Sequence, residues 1–454
     1  MTKQGVASIL ILVSLIVGAF VGDLLHVPDD PLTTAHWSFV FGTLVLVKPL
    51  LLVAVPLAFL AVVMGVYGVA SPSRLGLVGG ATILYYLITM VLAVSLGMVL
   101  VTTLEPGKSV PEAERPALLA AGEARVRGPD ADPAMHLLVG PAAPSEETPS
   151  PEGAEPGVGG TFMSMLDQVV PSNLAREMSE GRTLGVILFG VLLGLALAAG
   201  GRTTRRAAEV LEALYVALLI VVRWITWAAP VGVFLLMVYA VGSIGLETLT
   251  GPLSRYLGVV VGGLAIHALV VLPLVLVLLT RRNPYRFLWR MRRALFVAFA
   301  TDSSAAALPV TIENARTDGE CSRRASGFVL PLGATINMDG TALYEAVAVV
   351  FLFQLYGIDL EFSHLLVVAV TATFAAIGAA GTPSAGLVMA VVVIAAVNTS
   401  LGASGAKLDL AAVGVLIGVD RLVDMCRTTV NVWGDAVGAK IISRLAPDVD
   451  DVAT

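Results

Sequence analysis

The chain has 454 residues, of which 57% are hydrophobic and only 14% charged, with a formal net charge of -6. A soluble chain of this size would carry roughly 25% charged residues, so that class is excluded. Apolar runs of bilayer length recur along it, which indicates a polytopic α-helical membrane protein. Two cysteines, Cys321 and Cys426, exclude a disulfide framework, and the five histidines are scattered without metal-ligand spacing.

The run Gly5–Gly22 follows a single lysine, Lys3, and no small-x-small cleavage site precedes Asp23. It reads as a retained first span, with a cleaved signal peptide as the alternative. Spans are predicted at about 5–26, 38–70, 76–104, 183–200, 207–243 and 254–280. Between Glu105 and Gly160 lie ten acidic and four basic residues, so this segment accounts for the whole net charge. It also holds ten prolines and eight glycines, the composition of a loose, solvated loop. Basic clusters at Arg202/Arg205/Arg206, at Arg281 to Arg293, and at Arg316/Arg323/Arg324 belong in the cytoplasm by the positive-inside rule. With both termini inside, six spans leave the acidic insert outside and the Arg281 cluster inside.

Arg293 and Arg323 are then both cytoplasmic, yet too few residues separate them for two crossings of about 20 residues each. The segment from Ala294 to Ala315 has a polar break, Asp302-Ser303-Ser304, between two short apolar arms. It predicts a re-entrant hairpin, whose open backbone is tolerated only where it is buried in protein or lines a cavity. A long apolar segment from about Gly327 to Tyr356 is interrupted at Asn337-Met338-Asp339-Gly340-Thr341, which predicts two half-helices. Leu365–Ala380 and Leu387–Val397 flank a Gly/Pro-rich break at 381–386, a second hairpin entering from outside. The last predicted helix, 410–445, carries Asp420, Asp424, Arg427, Asn431 and Asp435 at steps of 4, 3, 4 and 4. They share one face. Each ionised group near a bilayer centre costs about 2.5–3.5 kcal/mol, so such a stripe lines an ion or substrate pathway. Hairpin, broken helix, hairpin and striped helix form a pair of repeats with opposite entry sides, the pattern of an inverted-repeat secondary transporter.

The motifs LPVT (308–311), NMDGTALYEA (337–346), AAGTPSAGLVM (379–389) and DMCRTTVNVWGDAVG (424–438) resemble those of the dicarboxylate/amino acid:cation symporters, which include the glutamate transporters. Pro171-Ser172-Asn173 and WITWAAPVGVF (224–234) resemble the family too, and the likeness covers nearly all of the chain except the insert. It implies an all-α membrane protein of eight transmembrane helices plus two re-entrant hairpins, working as an elevator in a homotrimer within the lipid bilayer of the cell membrane. The implied division is scaffold helices one and two in 1–75, transport-domain helix three in 76–104, the insert in 105–160, and scaffold helices four and five in 161–250. Residues 251–454 would supply helix six, hairpin one, helix seven, hairpin two and helix eight of the transport domain.

The resemblance also implies site residues. Arg427 offers a bidentate fork to a substrate side-chain carboxylate, with an internal salt bridge to Asp424 as the alternative. Asp424 would take the substrate ammonium, Thr428 and Asn431 would supply hydrogen bonds, and Thr341 would join them. Ser303 and Ser304 would meet the α-carboxylate, while Thr382 and Gly386 would form a gate over the substrate. Sodium (Na+) would bind at Gly333, Asn337, Asn431 and Asp435. A second site would use Thr335 and Met338 with carbonyls near Ala376–Ala379, and a third Tyr86, Thr89, Asn337 and Asp339. The bland alternative for the aspartates is a protonated structural role. Glu345 matches a position that is glutamate in proton-coupled members, so it is expected to carry a proton (H+). No organic cofactor and no nucleic-acid partner is expected. The substrate is a small acidic amino acid, with a C4-dicarboxylate as runner-up.

Two features depart from the family: Asp302 stands where serine or arginine is common, with Ala305 and Ala307 in place of hydroxylated residues, and the acidic insert is not shared by all members. Two other classes compete. Gly402-Ala403-Ser404-Gly405 fits a G-x-S-G pattern of intramembrane proteases, but no histidine lies in a neighbouring polar-faced helix. An ion channel is the stronger rival, because hairpins and polar stripes also build pores.

Overall fold

The computed structural model describes residues 3–27, 32–68, 72–127, 173–180, 183–245, 252–378, 385–401 and 406–448, and all regular structure among them is helical. Helix α1 (Lys3–Leu25) is followed by α2, which runs through Trp37–Gly42, a π-turn Thr43–Val47 and Lys48–Gly68. Then come α3 (Pro72–Leu104), α4 (Arg115–Arg127), α5 (Leu174–Glu180), α6 (Thr183–Gly200) and α7 (Arg205–Ile244). Helix α8 passes through Ser254–Ile266, a π-turn His267–Val271 and Leu272–Thr280. The rest is α9 (Pro284–Thr301), α10 (Ser304–Thr317), α11 (Arg323–Ile336), α12 (Asp339–Leu355), α13 (Phe362–Gly378), α14 (Ala385–Ser400) and α15, a short 3-10 turn Leu410–Val413 continuing into Gly414–Ile442.

Five stretches among these are long and apolar enough to cross a bilayer: Trp37–Tyr67, Gly76–Leu104, Arg205–Ser243, Ser254–Thr280 and Arg323–Leu355. Shorter apolar helices cover Ile9–Leu25, Gly185–Gly200, Phe362–Ile377 and Gly386–Ser400. The chain is therefore a multi-pass membrane protein. Helices α1, α2, α6 and α7 pack together, with α1 lying along α7. The α1–α7 approach depends on Gly18 and Gly22, where a Cβ would come within 2.8 Å of the Phe234 carbonyl and 2.6 Å of the Val238 carbonyl. Small residues four apart let two membrane helices touch backbone to backbone. The other elements surround α12 and α15, and α2 meets them through α10 and α11.

The breaks have local causes. Asp302 ends α9 in the left-handed region at φ 54, its N–H donating to the Ala298 carbonyl. Ser303 then starts α10 by accepting the Ala306 N–H on its hydroxyl at 3.1 Å. An αL stop followed at once by an N-cap reverses the chain in two residues. Asn314 holds the two arms together, accepting the Ala294 N–H at 3.1 Å and donating to the Arg290 carbonyl at 3.0 Å. The break between α11 and α12 is only Asn337 and Met338, since Asp339 already opens α12. The predicted interruption at 337–341 is thus shorter than expected, because Gly340 donates its free N–H to the Asn431 side chain at 2.7 Å instead of unwinding.

One expectation changes. The acidic segment is not uniformly loose: α4 is a helix docked on the start of α15. Arg127 grips both carboxylate oxygens of Asp409 at 3.0 Å, and a Cβ on Gly122 would press on the Val415 backbone. Within the basic cluster Arg281 to Arg293, Arg293 is buried and ion-paired to the buried Glu313 of α10 across the hairpin base. Pro171, Ser172, residues 402–405 and most of the insert lie outside the described residues.

Candidate functional site

Two large apolar clusters fill most of the interior. One gathers α9, α10, α11 and the end of α15, and includes Ala334, Val432 and Trp433. The other gathers α3, α12, α13 and α14 with the start of α15, and includes Met338 and Val430. Their boundary falls at the α11–α12 break and at Asn431, so the polar side chains form a sheet between two greasy halves.

On one side of Asn431 stands Arg427, 2% exposed in its side chain. Its Nε donates to Asp424 at 2.5 Å, and its guanidinium lies 4.6 Å over the Tyr344 ring. Nη1 is 3.9 Å from Asp420 and makes no hydrogen bond. Tyr344 donates its hydroxyl to Asp420 at 3.2 Å, and Thr428 donates to Asp424 at 3.5 Å. Gly386 at the start of α14 covers the guanidinium, because a Cβ there would land on it. Only glycine lets the backbone come so near. Thr382 lies outside the described residues. Asp302 at the tip of hairpin one is buried, lies 3.6 Å from Arg421 and sits within Coulombic range of Asp424 and Arg427. Ser303 and Ser304 are buried beside it, with the Ser303 hydroxyl engaged as the helix cap.

Asn431 joins the two sides. Its Oδ1 accepts from Gly340, and its Nδ2 donates to Thr341 at 3.1 Å and to the Met338 sulfur at 3.3 Å. Beyond it, Asn337 donates to Asp435 at 2.9 Å and accepts from Thr89 at 3.3 Å. Gly333 faces Asp435, with the Tyr86 hydroxyl 2.9 Å from where its Cβ would be. Tyr86 itself donates to the Val329 carbonyl at 2.6 Å. Asp339 pairs with His267 at 3.2 Å, and its Oδ1 has no hydrogen-bond partner. Thr335 does not join this group in the contacts described; its hydroxyl donates to the Leu332 carbonyl at 2.9 Å. Glu345 is fully buried on α12, and neither carboxyl oxygen has a hydrogen-bond partner.

The donor set suits a hard monovalent cation: two carboxylates, an amide oxygen, a hydroxyl and a buried helix break, with one aspartate oxygen unclaimed. Reading the sequence alone passes over Tyr344, His267 and Arg421. The signal for Tyr344 was its place beside Glu345 on the same helix; a lone histidine in an apolar run gave almost none.

A membrane protein whose broken helices bring buried acids and one guanidinium to a common layer is built as a carrier of small charged solutes. Residues 8–445 match the family described as the sodium:dicarboxylate symporter family. The chain belongs to that family, and it is a secondary transporter rather than an enzyme. It is 34% identical to excitatory amino acid transporter 3 of Oryctolagus cuniculus over 96% of this chain and 84% of that one. The corresponding protein of Homo sapiens is 33% identical over 95% and 84%. Neutral amino acid transporter B(0) of Homo sapiens is 31% identical over 92% and 75%.

Proposed function

We propose that the chain is a sodium-coupled symporter that carries aspartate or glutamate into the cell, with a proton as a second coupling ion. The observation that carries the substrate assignment is Arg427, a guanidinium withdrawn from water, held by Asp424 and with Nη1 uncommitted. An incoming side-chain carboxylate would take that face, and Asp424 would turn to the substrate ammonium. The Asp424 carboxylate therefore favours an amino acid over a C4-dicarboxylate, which has no ammonium to offer. Similarity to excitatory amino acid transporters supports the acidic class. Sodium would be held by Asp435, Asn337, Asp339 and their neighbours, since two buried anions with His267 but, among the described residues, no lysine or arginine beside them are costly. It supplies the positive charge these acids lack. Glu345 would carry the proton: an ionised carboxylate without partners is the costliest state for so enclosed a group.

The mechanical reading is a scaffold of α1, α2, α6 and α7 and a moving body of α3 and α8 to α15, in a homotrimer with cytoplasmic termini. Helix packing supports the division, because α10 and α11 are the principal contacts of α2 with the other group. The α9–α10 pair is read as a hairpin entering from the cytoplasm and α13–α14 as one entering from outside. Proteoliposomes offered external radiolabelled aspartate, glutamate or succinate under imposed sodium or proton gradients test the proposal. Concentrative aspartate or glutamate uptake on a sodium gradient is expected. Succinate uptake alone would make it a dicarboxylate carrier, and current without accumulation a channel.

A further inference from the structure

A groove of about 470 Å³ opens along the membrane face between α1 and α9. Leu15 of α1 forms one wall, and Trp289, Arg292, Leu295, Phe296 and Phe299 of α9 form the other. Thr429 of α15 also lines it, and the lining is mostly apolar. Arg292 is its one charged member, and among the described residues it has no carboxylate partner. Its neighbours do: Arg290 pairs with Glu320 at 2.7 Å and Arg293 with Glu313. Arg292 instead donates to the Trp289 carbonyl at 2.6 Å and lies 4.7 Å over that residue's ring. An unneutralised guanidinium at the mouth of an apolar groove asks for an anion with a long apolar tail.

Depth along the helix agrees. Arg292 precedes Thr301, the end of the arm, by nine residues. That is about 13 Å of rise, close to half of the roughly 30 Å hydrocarbon thickness. With the tip at mid-depth, Arg292 lies at the headgroup boundary and Trp289 in the interfacial belt where tryptophan collects. Phe296 and Phe299 then lie among acyl chains. We infer that this groove binds an anionic phospholipid, with its phosphate on Arg292 and an acyl chain against Leu295, Phe296 and Phe299. The inference rests on the reading of α9–α10 as a hairpin entering from the cytoplasm. Since the two walls come from the proposed scaffold and the proposed moving body, the lipid would exchange as they slide.

The test uses the full chain in phosphatidylcholine vesicles doped with diazirine-labelled phosphatidylglycerol or, separately, diazirine-labelled phosphatidylcholine. Adducts are mapped by mass spectrometry. Phosphatidylglycerol should label the 286–301 peptide about fivefold more than phosphatidylcholine, the factor that one basic residue at an anionic surface confers. Arg292→Gln should bring the two to equality, and Arg292→Lys should restore the preference, since a point charge suffices for phosphate. Leu295→Trp should fill the groove and reduce both labels, whereas Arg202→Gln in another basic cluster should change neither. Equal labelling by the two lipids in the wild type, or indifference to Arg292→Gln, overturns the site. Competition by soluble glycerol phosphate as effective as by the lipid would make it a site for free phosphate and overturn the lipid. Arg286→Cys, compared with wild type, separates the underlying reading: an impermeant maleimide should reach it only from the cytoplasmic side. Reaction from outside would overturn the hairpin reading and with it the depth argument, independently of the lipid counts.

Discussion

The two polar groups that flank Asn431 differ in how they balance charge. Around Arg427 the chain supplies both signs: Asp420 and Asp424 against Arg427, and Asp302 against Arg421. Around Asp435 it supplies acids only, Asp435 and Asp339, with His267, Asn337 and Thr89 as neutral or titratable company. The first group can close on itself and reopen when an anion offers a better partner. Among the described residues the second has no lysine or arginine to close with, and in the proposed function a cation from outside fills that role. A coupled carrier needs this asymmetry, because a group already neutral has no reason to take up sodium and a group that never pairs internally would hold its substrate too long.

If the two groups act as described, disabling one should leave the ligand of the other bound. The largest effect is expected at Arg427. Truncating one member of a buried charge pair costs about 2–5 kcal/mol, or about 30-fold to several thousandfold. Arg427→Cys should therefore abolish aspartate and glutamate uptake and admit neutral amino acids, measured in the same proteoliposomes, while sodium binding survives. Normal aspartate uptake by this variant would remove the substrate assignment. The converse variant, Asp435→Asn, should raise the sodium concentration for half-saturation by about tenfold to a hundredfold, the range seen when a metal's supporting contact is lost. Intrinsic fluorescence titrated with sodium in the absence of substrate reads it, since Trp433 lies two residues away on the same helix. An unchanged titration would put the cation elsewhere.

Much of this contrast was legible in the sequence. Charges spaced at helical intervals through an apolar run fix which face of α15 is polar, and the Asp302-Ser303-Ser304 break marks the turn between α9 and α10 because each residue type suits its backbone role there. What stayed hidden depended on contacts distant in sequence. His267 sits in an apolar run, and its partner Asp339 is 72 positions away; no periodicity announces such a pair. The same holds for Tyr344 against Arg427. Gly340 suggested an unwound stretch, yet the Asn431 side chain supplies the acceptor its N–H needs and the helix starts earlier. The insert misled for another reason. Averaged over 56 residues its prolines and glycines dominate, but the thirteen residues of α4 are rich in alanine, leucine and arginine, good helix formers with a surface to dock on.

Glu345 belongs to neither group, which makes it a sharper probe of the proton than of the substrate. Glu345→Gln keeps the shape and removes the titratable oxygen. Uptake driven by an inward proton gradient should disappear, while sodium-driven uptake retains its preference for acidic substrates. The readout is aspartate accumulation with each gradient imposed alone. Proton-driven uptake equal to wild type would end the proposed role.

The smallest effect is expected at Asp302, where the self-balanced group is not quite balanced. Three acids, Asp302, Asp420 and Asp424, face two arginines, Arg421 and Arg427, so an ionised Asp302 would leave one excess negative charge close to where an anionic substrate would sit. Asp302→Asn should remove that repulsion and tighten aspartate binding by about threefold to tenfold, the size of one screened like-charge contact. Arg421 would lose its partner, but its side chain keeps 20% exposure and lies over the Tyr239 ring, so it has another place to go. The affinity of the variant should also lose part of its dependence on ionic strength, which a purely structural change at the hairpin tip would not produce. Weaker binding in Asp302→Asn would mean that the carboxylate positions the tip through Arg421 rather than opposing the substrate, and the Arg427 group would then be neutral in practice despite its count of acids.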